Sequence, residues 1–198
     1  MNTTYIAHRI NTLEALKNLP NEFGVELDIR DEGGELIISH DPFVMGESFE
    51  AYVEAYNHGT MILNIKSERI EHRVLQLIKK HGIRSYFFLD SSFPMIYLLS
   101  KEGESNVALR FSEFEGMDTI RNMAGSVQWV WVDCFTKFPL NHTEYVEMKA
   151  LGYKLCLVSP ELQGRDHEIE AYKSILTSEG IVFDAICTKS YNIARWRE

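Results

Sequence analysis

His8-Arg9, Glu26-x-Asp28 and His40-Asp41 follow one another near the N-terminus of the chain. Two imidazoles bracketing a pair of carboxylates can supply what cleavage of a phosphodiester demands. One serves as base for the attacking hydroxyl, the other as acid for the departing oxygen, and the carboxylates seat a cation that offsets the phosphate charge. Glu26 and Asp28 alternate with Val25, Leu27 and Ile29, so on a strand both point to one face and can converge on one ion. Their hard oxygens suit Mg²⁺ or Ca²⁺ better than zinc. The competing reading makes them rim charges balanced by Arg30 or Lys66. Histidine has the reference pKa nearest neutrality, which fits His8 and His40 for acid/base work. Each alone is equally well explained as a hydrogen-bonded rim residue, so the case for chemistry rests on the four together.

These groups need a frame that brings distant positions to one place. Short β-prone runs at 5–7, 24–29, 61–65, 86–89, 107–111, 129–132, 154–158 and 185–188 alternate with segments of helical periodicity, such as Ile70, Val74, Leu77 and Ile78, or Ile169, Tyr172, Ile175 and Leu176. Strands alternating with helices imply a parallel sheet. Eight such units predict an α/β fold, a (β/α)₈ TIM barrel, whose functional groups gather at the carboxyl ends of the strands; an open doubly wound sheet is the runner-up. At 198 residues the barrel must be compact, with short loops and no insertion domain, and 1–198 reads as a single domain. Gly33-Gly34 predicts a tight turn after the second strand, leading into a β-extension over 35–39.

The bulk numbers narrow the function further. A net charge of −9 and no dense basic run argue against nucleic-acid binding. No apolar run is long enough for a transmembrane segment, and the first residues lack the basic start and apolar centre of a signal peptide. A cytoplasmic protein is expected. Cys134, Cys156 and Cys187 are widely spaced within or beside apolar runs and read as reduced core thiols.

Several segments together resemble the glycerophosphodiester phosphodiesterase family, (β/α)₈ barrels related to the phosphatidylinositol-specific phospholipases C. His8-Arg9-Ile10-Asn11-Thr12-Leu13-Glu14-Ala15 is similar to that family's HRG and PENTLEA opening with the intervening loop removed. Glu26-Leu27-Asp28-Ile29 resembles its ELDV metal strand, and His40-Asp41-Pro42 its second histidine motif. Leu89-Asp90-Ser91-Ser92-Phe93 resembles the step before its fourth helix, and 185–188 its final strand. The resemblance implies catalysis by His8 and His40, metal ligation by Glu26 and Asp28, and phosphate binding by Arg9, a role that its planar cationic fork also suits. Asp41 is expected to orient the loop carrying His40. Asn11 would brace the site or, equally, cap the helix that begins near Leu13.

The departures from that pattern are as informative. Where the family carries a third metal carboxylate in an E-x-K pattern on its third strand, this chain has Asn64, with Lys66 retained to hold a phosphate oxygen. An Asn carbonyl can still ligate Mg²⁺ or Ca²⁺, but the site loses one negative charge; Glu68 is a distant candidate to compensate. Ile10 replaces the glycine, the usual insertion after His40 is missing, and Lys189 replaces the closing aspartate, so a more open pocket is expected. Arg110, Asp133 and Lys189 are expected at strand tops as rim ion pairs or substrate contacts. Trp129 and Trp131 are expected to divide, one packing inward and one against helices. His58, His72, His81, His142 and His167 read as surface or capping residues. The expected activity is cleavage of a small or lipid-derived phosphodiester with a divalent cation, Mg²⁺ or Ca²⁺. The alternatives are a lyase releasing a cyclic phosphate, or a degenerate barrel that binds a phosphorylated ligand or a partner without turning it over.

Overall fold

A computed structural model describes residues 3–197. In chain order the elements are β1 (Thr4–Ala7), α1 (Leu13–Asn18), β2 (Gly24–Glu32), β3 (Glu35–Ile38), β4 (Glu47–Ser48), α2 (Phe49–Glu54), β5 (Met61–Ile65), α3 (Glu71–Lys80), β6 (Tyr86–Leu89) and α4 (Phe93–Lys101). There follow β7 (Ala108–Phe111), α5 (Met117–Asn122), β8 (Trp129–Val132), α6 (His142–Ala150), β9 (Lys154–Val158), α7 (Ile169–Glu179), β10 (Ala185–Thr188) and α8 (Ile193–Arg197).

Eight of these strands form the parallel ring of a (β/α)₈ barrel. β1 pairs with both β2 and β10, β2 with β5, β5 with β6, and β7 through β10 pair in succession. One joint is thin: β6 and β7 meet only at a bridge between Phe88 and Val107. The ring strands β5, β6, β8 and β10 are buried along their whole length, as expected of parallel strands covered by helices on one face and filled by side chains on the other.

Local chemistry sets the element ends. Thr12 caps α1 by accepting from the Ala15 N–H at 3.1 Å, and Asn141 and Glu144 form a capping box at the start of α6. Helix α3 carries Glu71 in its first turn and Lys79 and Lys80 in its last, matching its dipole, and buries Val74 and Ile78. Short helices, from 5 residues in α8 to 11 in α7, allow a barrel to close well below the roughly 250 residues typical of the fold.

Strand β2 runs on past the ring. Its first part pairs with β1 and β5, and its last four residues pair antiparallel with β3 through Glu32↔Glu35. The two connecting residues, Gly33 and Gly34, have φ of +56° and +88°, as a two-residue turn with both central residues left-handed requires. Strand β4, unanticipated in the sequence, adds to β3 at Ile37↔Ser48 and Ile38↔Glu47.

Two expectations need correction. Trp129 and Trp131 do not divide between faces: Trp131 lines the barrel mouth, and Trp129 stacks on Phe87 with ring centroids 4.4 Å apart. Residues two apart on a strand share a face, and both rings fill the interior. Thr12, and not Asn11, caps the first helix. The three cysteines are free and buried as expected.

Gly24, at the foot of β2, has no room for a side chain. A Cβ there would lie 2.5 Å from the Thr60 carbonyl oxygen and 2.8 Å from Ile6 Cγ1. Gly24→Ala should therefore lower stability by about 1–3 kcal/mol in urea denaturation; a loss within error of zero would show that the β1–β2–β5 junction yields freely.

Candidate functional site

Glu26 and Asp28 are the centre of the site, and neither exposes any surface. Placing two carboxylates in a barrel interior is costly unless each is paired or hydrogen-bonded, and the surrounding residues answer that demand. The Asn64 amide donates to Glu26 Oε1 at 2.8 Å, and the Arg9 backbone N–H donates to Oε2 at 2.7 Å. Asn11 clasps Asp28 twice: its Nδ2 donates to Asp28 Oδ2 at 2.8 Å and its Oδ1 accepts the Asp28 N–H at 3.0 Å. Asn11 thus holds Asp28 at both its carboxylate and its backbone N–H. Arg9 Nε stands 3.8 Å from Asp28 Oδ2, and Lys66 Nζ 3.6 Å from Oδ1. The rim-charge reading is right about Lys66 as a partner and wrong about exposure. Burial first, and then the neighbouring Asp28 charge, lift the Glu26 carboxyl to about 7 against the pull of its Asn64 and Arg9 hydrogen bonds.

Arg9 reaches this position through its backbone. Its φ of +55° lies in the left-handed region, which is strained for a side-chain-bearing residue and recurs at functional sites. The turn it makes carries the chain from His8, whose N–H is held by Thr188 O at 2.8 Å, to Ile10, whose N–H is held by Glu26 O at 2.9 Å. The guanidinium then lies between the Asp28 carboxylate and His40, with Nη2 2.7 Å from His40 Nε2. A guanidinium can only donate, so His40 Nε2 accepts. The remaining proton sits on Nδ1 and is given to Asp41 Oδ1 at 2.7 Å, a bond that holds the Asp41 carboxyl below its usual range. Asp41 thus orients the His40 ring itself, more than the loop.

His8 has the opposite tautomer. Lys189 Nζ lies 3.1 Å from Nδ1, and an ammonium can only donate, so the ring proton is on Nε2, which lies 3.7 Å from Glu26 Oε2. Burial, and then the Lys189 charge, pull the His8 imidazole down to about 3.

His8, Arg9, Glu26, Asn64, Lys66 and Lys189 line one mouth cavity of about 270 Å³. Asp28 and His40 do not line it. Asp28 is roofed by Arg9, Lys66 and Asn11, and His40 stands behind Arg9 on the loop after β3. Glu68 accepts from Ser92 Oγ at 3.2 Å, away from the carboxylate pair, and does not replace the missing acid.

Sequence reasoning missed three positioning residues. Arg30 donates to the His40 carbonyl from Nε and Nη2 at 3.1 and 3.0 Å and to the Lys66 carbonyl at 2.9 Å, tying the loop after β3 to the end of β5. Its spacing, two residues beyond Asp28 on the same face, was the available signal. Asp90, left-handed at φ +60°, accepts from Lys66 at 3.1 Å and from Arg110, which also pairs with Asp133. Glu161 accepts the Lys189 N–H at 3.0 Å and the Thr188 hydroxyl, fixing the turn that carries Lys189.

The donor set fits a hard divalent cation, though thinly. Asp28 Oδ1 and Asn64 Oδ1 are buried oxygens without a hydrogen-bond partner, the first facing the Lys66 ammonium at 3.6 Å, and they are the oxygens a hard cation would use. Among the described residues, no three His, Cys, Asp or Glu side chains are grouped to hold a metal ion.

Because His8 is held neutral, its ring should not titrate between pH 8 and 5 in NMR, where an unperturbed histidine changes charge. Unfolded His8 binds a proton below about 6.5 that the folded ring refuses until about 3, so its contribution to stability is lost as pH falls through that window. Glu26 acts oppositely: it stays protonated up to about 7, and its contribution is lost as pH rises from about 4.5 to 7. A His8 ring that titrates near 6.5 would contradict the Lys189 contact.

No protein-family model and no curated protein matches the chain. Solved structures do match it in fold. A glycerophosphodiester phosphodiesterase from Agrobacterium tumefaciens superposes with a TM-score of 0.67 at 15% identity, covering 96% of this chain and 98% of its own. A glycerophosphoryl diester phosphodiesterase from Parabacteroides distasonis gives a TM-score of 0.67 at 12% identity, covering 98% of this chain and 85% of its own. Among the described residues no helix is long and apolar enough to cross a membrane. The chain has the (β/α)₈ barrel fold of the glycerophosphodiester phosphodiesterases.

Proposed function

We propose that the chain is a phosphodiesterase acting on a small or lipid-derived phosphodiester, a glycerophosphodiester-like substrate, with a divalent cation. The observation that carries this reading is the pair of histidines with opposite tautomers, His40 held between Arg9 and Asp41 and His8 between Lys189 and the buried Glu26 carboxylate. Glu26, Asp28 and the Asn64 carbonyl would hold the ion, Mg²⁺ or Ca²⁺, which when bound offsets phosphate charge.

The residues divide the remaining work. Arg9 and Lys66 neutralise the phosphate oxygens. When Arg9 turns from His40 to the phosphate, His40 Nε2 is left with a free lone pair and Asp41 behind it, the arrangement of a general base. It takes the proton of the attacking water or neighbouring substrate hydroxyl as the new P–O bond forms. His8 presents Nε2–H to the leaving oxygen. As the old P–O bond breaks, that proton passes to the alcohol and the Lys189 ammonium returns one to Nδ1, so no imidazolate forms. If the nucleophile is a neighbouring hydroxyl, the first product is a cyclic phosphate, and its release would make the protein a lyase. One observation favours a second reading, a binder without turnover: Asn64 stands where a third carboxylate would complete the cation site.

Purified protein should cleave glycerophosphocholine with added Mg²⁺ or Ca²⁺ and lose activity with chelator; phosphorus NMR of the product separates hydrolysis from cyclic release. His8→Ala and His40→Ala should each lower kcat by about 10²- to 10⁴-fold, and an effect under about threefold would make them structural. Asn64→Glu should tighten cation binding measured by calorimetry. Unchanged affinity would take Asn64 off the ion.

A further inference from the structure

The thin joint between β6 and β7 opens onto a second, larger cavity. Where neighbouring ring strands are fully paired, the barrel wall is sealed. Here, pairing stops at the Phe88–Val107 bridge, and above it the wall gapes toward α4 and α5. The resulting cleft has a volume of about 600 Å³, within the range of small-molecule sites. Leu89, Asp90 and Arg110 line both this cleft and the mouth cavity, so the two spaces adjoin along the joint.

The lining is selective. Leu89, Ile96 and Leu109 are buried carbon surface, and the half-exposed Phe93 stands at the lip. The charged groups are already committed to one another: Arg110 pairs with Asp90, Glu115 and Asp133. One buried polar side chain of the lining is left without a partner. Ser91 is 8% exposed, and its buried Oγ has no hydrogen bond.

We propose that this cleft receives one alcohol arm of the substrate, and that the arm is a single aliphatic chain carrying one oxygen near the phosphate for Ser91 to meet. The proposal rests on the phosphodiesterase reading and names its substrate class. A polyhydroxylated arm would set hydroxyls against the carbon surface of Leu89, Phe93, Ile96 and Leu109 and would have to compete for Asp90 and Glu115 with Arg110, so each hydroxyl left unmatched costs its desolvation. A chain with one polar atom leaves none.

The test uses two diesters with the same head group, methyl phosphocholine and dodecylphosphocholine, the latter below its micelle-forming concentration. Wild-type kcat/KM should favour the dodecyl compound by about tenfold or more, with the gain in KM. Calorimetric binding of both compounds gives the same comparison without turnover. Thr119 lies on the exposed face of the cleft, and Thr119→Trp, by filling it, should cut the dodecyl-to-methyl preference by about tenfold. Equal handling of both compounds by the wild type overturns the proposal. So does a preference that Thr119→Trp leaves intact, because the chain would then lie elsewhere. If neither compound nor glycerophosphocholine is cleaved but dodecylphosphocholine binds more tightly than methyl phosphocholine and Thr119→Trp weakens it, the cleft stands and the phosphodiesterase reading fails.

Discussion

Two carboxylates with no exposed surface on one strand, Glu26 and Asp28, set the terms for the rest of the barrel mouth. A buried charge must be matched by donors or opposite charge, and here the matching groups arrive from three segments. β1 delivers the Arg9 N–H and guanidinium, the segment after it delivers Asn11, and β5 delivers Asn64 and Lys66. The left-handed turn at Arg9 follows from this demand. In that backbone conformation one residue offers its N–H to one carboxylate and its side chain to the other. The histidines take their places from the same network, His8 as the residue before Arg9 and His40 as the group on which Arg9 rests.

Much of this was legible in the sequence because periodicity carries geometry. Alternation in 24–29 places Glu26 and Asp28 on one face, and the strand–helix rhythm gives the ring and its order. What escaped was whatever depends on tertiary packing or on the path of a loop. Arg30 reads as an ordinary strand-end charge, yet its three donors join two loops through their carbonyls, and carbonyl positions leave no trace in residue types. Lys189 reads as a substitution on the rim; its ammonium reaches His8 only because β10 and β1 are neighbours in register, Thr188 opposite Ala7. The tryptophans were misplaced for a simpler reason, since residues 129 and 131 share a face whenever 130 and 132 share the other.

Asn64 is where the site departs most from a three-carboxylate seat, and the packing shows how the chain accommodates it. The amide gives its N–H to Glu26 and leaves its oxygen without a hydrogen bond, while Asp28 Oδ1 faces only the Lys66 ammonium, at 3.6 Å. A carboxylate there would add a further negative charge beside a pair in which burial and the Asp28 charge already raise the Glu26 carboxyl. The amide lowers that repulsion and, by the same token, the attraction available to a cation. The surrounding cations, Arg9, Lys66 and Lys189, shift the local balance further toward an anionic ligand.

The thin joint also bears on how the cylinder is assembled. β1, β2, β5 and β6 come from the first half of the sequence and β7 through β10 from the second, while the terminal strands β1 and β10 are fully zipped in register. The barrel is therefore two contiguous half-shells, welded where the chain begins and ends and merely touching at its midpoint. Local opening begins where the fewest hydrogen bonds must break, so the connection between β6 and β7 is the natural hinge line of the ring.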